Sequence, residues 1–315
     1  MIGLENRLNP GLGVAVNRKG SLLVYGSLVS AMLIWGFSFL AIKDAVASIP
    51  IFPLLFARFS IATIILLPIA GMRRALRLPG RDLAVLAGLA ALSPVGYFIF
   101  ETYGVSWTQP SHVSLIIATI PIAVYLIAFA TRKERPTMKR GIGVLIAYAG
   151  IILVIGLSRG EKGASLAGDV LVLGAVLCAA VRTILVKDVL RRVTPLQLTF
   201  YQFFFSLFVF GPLAAADGFS WLEGLTLKVT GEILFLGILC SAGAFFAMHY
   251  ALTHLAATQV AVAANLVPIV TLIAEATILG IGVTMVKSLG TLLTIGGVIV
   301  AQLGSTSEPI PVRSG

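Results

Sequence analysis

Long apolar stretches, broken by short polar, glycine- or proline-marked segments, run from residue 22 to residue 304. A helix needs about 20 mostly apolar residues to cross the hydrocarbon of a bilayer. Breaking the chain at prolines, glycines and charge clusters predicts ten spans, near 22–42, 51–71, 82–107, 111–131, 139–157, 168–188, 196–216, 231–254, 257–279 and 284–304. They are rich in Ala, Leu, Ile and Val and lack the alternation of barrel strands. Spans three and four meet at a tight turn, Gln109-Pro110-Ser111, and spans eight and nine meet near His254.

Composition sharpens this. The chain is 58% hydrophobic and 11% charged, where a soluble domain carries about a quarter charged residues. The first 21 residues, with Glu5, Asn6 and Pro10 ahead of any apolar run, read as a soluble tail and not as a secretory signal. Residues 305–315 read as a second tail. The two cysteines, Cys178 and Cys240, fall inside apolar runs and are expected to pack rather than to bind metal or form a disulfide. Lysine and arginine in the loops set orientation. The tails and alternate loops hold 16 of them and the opposite side holds 5, which predicts both termini in the cytoplasm. The net charge of +10 is then a matter of topology and anionic lipid, and nucleic acid is not an expected partner.

The chain also repeats itself. At an offset of 144, Lys43-Asp44 falls on Lys187-Asp188, Phe56 on Phe200, Phe59 on Phe203 and Pro68 on Pro212. At an offset of 147, Phe98 falls on Phe245, Tyr103 on Tyr250, Pro121 on Pro268, Gly143 on Gly290 and Gly150 on Gly297. Residues 22–157 and 168–304 therefore read as two copies of a five-helix unit. Five is odd, so the second copy enters the membrane upside down, and the basic loops shift accordingly. The expected fold is an all-α integral membrane protein of ten transmembrane helices in two inverted five-helix repeats. That architecture belongs to alternating-access carriers, with the site between the copies near the midplane. The repeated Lys-Asp pair marks one helix end in each copy, and snorkelling to the interface is its expected role over direct substrate contact.

The segments "LIWGFSFLAIKDA" (33–45), "LLFARFSIATIILLP" (54–68), "ATIPIAVYLIA" (118–128) and "ERPTMKRGIGVLIAYAGIILV" (134–154) resemble EamA-type exporters of the drug/metabolite transporter superfamily, the YddG-type amino-acid exporters among them. The resemblance covers nearly all of residues 22–304. It implies a bacterial inner-membrane exporter of small organic metabolites, with a central cavity lined by spans one, three, four, six, eight and nine. The second copy departs from the pattern. Trp35 and Gly36 correspond to Ala179 and Ala180, Arg58 to Gln202, Glu134 to Ile281, and Ser38 to a gained charge, Arg182. Substrate choice is therefore not carried over from relatives.

Ionisable residues inside spans are functional by default, because each costs at least ~2.5 kcal/mol to insert. Arg58, Glu101, His112 and Glu275 fall toward the outer half; Arg182 and His249 fall toward the cytoplasmic half. Arg58 with Glu101 reads equally as a buried structural pair. Glu101 shares a helix face with Tyr97 and is a candidate to bind an ammonium group or a proton. Glu275 is expected to face outer water. Arg182 either snorkels beside Lys187 or, facing the cavity, attracts a carboxylate. Pro121 and Pro268 predict matched broken helices, the best pointer to a transport site, and Asn265 adds an amide there. Pro94 predicts a kink in span three without a match in span eight. Trp35 and Ser38 share a face of span one. The candidate substrate-binding set is thus Trp35, Ser38, Tyr97, Glu101, Pro121, Arg182, His249, Asn265 and Pro268. The stripes Gly143, Ala147, Gly150 and Gly290, Gly297 predict close packing within a monomer, or a weak dimer interface.

The expected partners are the lipid bilayer and a small-molecule substrate such as an amino acid, with proton coupling as a candidate drive. No cofactor or metal is expected. An intramembrane enzyme is the alternative, but there is no H-E-x-x-H, G-x-S-x-G or Walker A motif. His249 and His254, five apart, turn away from each other.

Overall fold

The computed structural model describes residues 18–73, 76–131, 137–157, 163–255 and 257–303. The described residues are helical, with no strand among them. In chain order the helices are α1 (Arg18–Ala45) and α2 (Ile51–Met72); α3 (Gly80–Trp107) and α4 (Pro110–Ala130); and α5 (Met138–Leu157), α6 (Leu166–Val189) and α7 (Pro195–Ala216). They continue with α8 (Leu227–Leu252), α9 (Ala257–Ala264), α10 (Leu266–Ile278) and α11 (Met285–Leu303). Nine of them, α1 to α8 and α11, are long and apolar enough to cross a membrane, and 262–278 forms a shorter apolar segment. The two predicted tails lie largely outside the described residues.

Local chemistry sets the helix ends. Thr194 and Gln197 form a capping box ahead of α7, and Pro195 takes the first turn, where its missing N–H costs nothing. Ser165 caps α6 by accepting from the Gly168 N–H, and Thr226 caps α8 by accepting from the Val229 N–H. Gly280, at φ +65°, leaves α10 in the left-handed region that glycine enters freely.

The polarity runs opposite to a soluble protein. Leu145, Ile152, Phe208, Ile273 and Leu292 are exposed, while Arg58, Glu101, Thr199, Gln202, Ser206 and Asn265 are buried. An apolar exterior around a polar interior is what lipid demands as solvent.

Glycines bring the helices together. A Cβ on Gly143 would stand 2.4 Å from the Ala301 nitrogen and 2.7 Å from the Gly297 oxygen; one on Gly297 would stand 2.3 Å from the Ala147 nitrogen. Gly150 and Gly290 meet in the same way further along. So α5 and α11 pack backbone to backbone and antiparallel within one chain, as the small-residue stripes predict. Gly36 of α1 admits Val270 of α10, and Gly104 of α3 admits Val172 of α6. Between α2 and α7, Phe59 stacks on Phe203 at 5.2 Å with the rings 13° apart.

The helix breaks correct the sequence reading in detail. Helix α4 turns irregular at Ala118–Thr119, and Asn265 separates α9 from α10. Each break precedes its proline by a few residues, because Pro121 and Pro268 sit in the first turn of the following segment, where a missing donor is tolerated. The kink in α3 spans Ala91–Gly96 around Pro94, with a cis Ser93-Pro94 bond. It does have a counterpart: α8 widens into π turns over Phe235–Ala244, with no proline there.

Candidate functional site

Two buried polar groups lie inside the bundle. The first gathers on α2, α3 and α8. The Arg58 Nε donates to Ser241 Oγ at 3.2 Å, and its guanidinium lies 4.6 Å over the Phe98 ring and 5.2 Å over Phe59. Glu101 is within electrostatic reach, without a direct ion pair, and its Oε2 is buried and unpartnered. Aromatic rings close over this group: Tyr97 packs on Phe98 at 4.9 Å, and Trp35 on Phe245 at 5.1 Å. Trp35 also donates through Nε1 to the Cys240 carbonyl, and the Ser38 hydroxyl donates to the Trp35 carbonyl. Trp35, Ser38, Tyr97 and Glu101 thus lie around one region, and Arg58 and Ser241 complete it.

The second group gathers on α6, α7 and α8. Arg182 Nη2 donates to Gln202 Oε1 at 2.7 Å. His249 Nδ1 lies 2.8 Å from Thr199 Oγ1, whose hydroxyl donates to the Pro195 carbonyl at 2.7 Å. A hydroxyl has one proton, so the imidazole Nδ1 must be the donor to Thr199. Arg182, Gln202 and His249 are all buried, so Arg182 does not snorkel. Asn265 and Pro268 are buried at the break between α9 and α10, and Pro121 is half-buried at the start of the second segment of α4.

A third network closes the helix ends around the α3–α4 turn. His112 Nδ1 lies 3.2 Å and 3.3 Å from the Asp169 carboxylate oxygens, and Thr108 Oγ1 donates to Asp169 at 2.8 Å. The carboxylate also sits in the first turn of α6, at the positive end of its dipole. Lys43 Nζ donates to the carbonyls of Val105, Ser106 and Thr108, at 2.9–3.0 Å. It therefore caps the orphan acceptors at the end of α3 rather than reaching for lipid headgroups. Asp44 pairs with Lys228 of α8. The side chains of Lys187 and Asp188 lie outside the described residues. Glu275, expected to face water, is 1% exposed.

Sequence reasoning missed Asp169, Gln202, Thr199 and Ser241. Asp169 reads as an ordinary helix-start acid, and the others are common uncharged residues in apolar runs. The offset of 144 that pairs Arg58 with Gln202 was the signal available. Among the described residues, no group of three or more His, Cys, Asp or Glu could hold a metal ion, and both cysteines are free.

A bundle of lipid-length helices, apolar outside and carrying buried polar groups on broken helices, defines a polytopic membrane transporter. The EamA-like transporter family matches twice, over residues 22–156 and 166–302. The chain belongs to that family. It is 29% identical to an uncharacterized transporter of Archaeoglobus fulgidus over 286 residues, covering 90% of this chain and 97% of the relative. It is 27% identical to the uncharacterized transporter YcxC of Bacillus subtilis, covering 87% and 91%. It is also 27% identical to a protein of Streptantibioticus cattleyicolor named "Probable terminal-alkyne amino-acid exporter", again covering 87% and 91%. A crystal structure superposes with a TM-score of 0.64 over 91% of this chain and 98% of that one, at 17% identity, and so shares the fold.

Proposed function

We propose that this chain exports small organic metabolites, amino acids first among them, by alternating access between two inverted five-helix halves, 22–157 and 168–304. In this reading α9 and α10 together make one crossing, giving ten, and the protein sits in a bacterial inner membrane with both termini in the cytoplasm. The 16-to-5 division of basic loop residues supports that orientation. The observation that carries the reading is how equivalent helices meet. The contact of Gly143 with Gly297 has as its repeat equivalent the contact of Gly290 with Gly150, and both occur. Phe59 stacks on its own equivalent, Phe203. Contacts that map onto themselves between antiparallel helices are what a two-fold axis in the membrane plane produces.

The substrate-binding set in this reading is Trp35, Ser38, Tyr97, Glu101, Pro121, Arg182, His249, Asn265 and Pro268. The relative named as an amino-acid exporter supports the substrate class. Counterflow of labelled amino acids into proteoliposomes tests it: accumulation that depends on unlabelled amino acid inside is expected. No counterflow of any amino acid rejects the substrate class. Glu101 is proposed as the proton-sensitive group, so Glu101→Gln is expected to change the pH profile of flux, and an unchanged profile removes that role.

A further inference from the structure

Among the described residues, the cation of the second buried group has no counter-ion: no carboxylate pairs with Arg182, and its one hydrogen-bond acceptor is the neutral Gln202 amide. Its Nε, the Gln202 Nε2 and the His249 Nε2 are all buried without a partner. A buried charge is expected to be paired, since isolation in low dielectric is costly. Two of the open atoms, Arg182 Nε and Gln202 Nε2, are N–H donors. The third differs. Because Nδ1 of His249 donates to Thr199, neutral His249 presents a bare lone pair at Nε2, which is an acceptor. His249 is also within electrostatic reach of Arg182. The unfilled demand is therefore for one ligand with an anionic acceptor and a nearby donor.

A way in exists. A groove of about 380 Å³ between α3 and α6 is lined by Val85, Leu89, Leu185 and Val189. Arg182 stands three and seven residues before the last two, on the same face of α6.

We propose that Arg182, Gln202 and His249 bind the α-amino carboxylate end of the transported solute: its carboxylate against Arg182 Nε and Gln202 Nε2, its ammonium donating to His249 Nε2. This rests on the transporter reading above and assigns its headgroup site to the second half of the chain. The repeat equivalent of Gln202 is Arg58; the first half also leaves Arg58 Nη1 and Glu101 Oε2 open, but there the cation has a resident counter-charge within reach.

The test uses the full-length protein in proteoliposomes and four probes: L-phenylalanine, phenethylamine without the carboxylate, 3-phenylpropionate without the ammonium, and phenylalaninamide without the negative charge. Leucine and its analogues form a parallel series. Wild type is expected to prefer the amino acid over each analogue by about 10- to 100-fold, the range of a charged hydrogen bond. Gln202→Glu puts a resident carboxylate beside Arg182 without changing side-chain size. It is expected to remove at least tenfold of the preference over the amine while the protein stays monodisperse and at least as heat-stable. Arg182→Met is expected to do the same, and His249→Phe to erode only the preference over 3-phenylpropionate. Equal wild-type transport of amino acid and amine overturns the site and leaves the carrier standing. So does a Gln202→Glu variant with unchanged selectivity. Amine transport that chloride restores to the amino-acid level overturns it in favour of a resident inorganic anion. Wild type that moves neither amino-acid series fails the proposed amino-acid function and this site together.

Discussion

Arg58 and Arg182 are both buried arginines on membrane-length helices, yet they sit in different electrostatic company. Arg58 lies over two phenylalanine rings, bonds Ser241 and has Glu101 within reach. Arg182 bonds a neutral amide and, among the described residues, has no carboxylate within reach. At the repeat offset of 144, Arg58 falls on Gln202 and Ser38 on Arg182. In the two-repeat reading proposed above, packing was kept between the halves while charge diverged. Glycine contacts are fixed by backbone distance and tolerate nothing larger. A buried charge tolerates change wherever a counter-charge, resident or carried, can be found.

The comparison can be broken first at the shared frame. Gly297→Val would drive a branched side chain into the Ala147 nitrogen, where a Cβ alone would come to 2.3 Å. Overpacking of backbone against backbone is expected to cost about 3 kcal/mol or more, read as lost monodispersity or a collapse in thermal stability. Gly296→Val, one residue away at a position with nothing within 4 Å, is the control and is expected to fold.

The two arginines give the next test. Arg58→Met strands the Glu101 carboxylate and is expected to cost about 3 kcal/mol in thermal unfolding of the detergent-solubilised protein. Arg182→Met removes an uncompensated cation and is expected to leave stability unchanged or raise it, against the smaller loss from the freed Gln202 oxygen. Equal losses would erase the distinction. Asp169→Asn, outside both groups, weakens bonds from His112 and Thr108 that tie α3 and α4 to α6, and about 1–2 kcal/mol is expected. Smallest is Lys228→Ala. That lysine is largely exposed in its pair with Asp44, so no resolvable change in thermal unfolding is expected.

Much of the fold was legible because lipid imposes a length rule on every span. The predicted ends of α2, α5 and α7 fall within a residue or two of the observed ones. The breaks were legible as events but misplaced, because a proline can begin a helix as well as end one. The π turns of α8 carry no proline and left no mark on the sequence. Site residues divided by chemistry. Arg58, Glu101, Arg182 and His249 stood out because a charge in an apolar run is rare. Gln202, Thr199 and Ser241 did not, because a neutral side chain gains its role only from the neighbour the fold supplies. Lys43 was misread for the same reason: its partners are three backbone carbonyls at the end of α3, which no side-chain pattern reports. Glu275 was expected in water because it lies near a span end, but neighbouring helices enclose it.

The central claim is that residues 22–157 and 168–304 are one unit inserted in opposite senses. Ser48 and Arg192, 144 apart, are equivalent and exposed positions at matching helix ends. Single cysteines there, in a background lacking Cys178 and Cys240, can be probed with a membrane-impermeant maleimide in intact cells and in inverted vesicles. The account predicts that Ser48→Cys labels from outside intact cells and Arg192→Cys only in inverted vesicles. Labelling of both from the same side contradicts it.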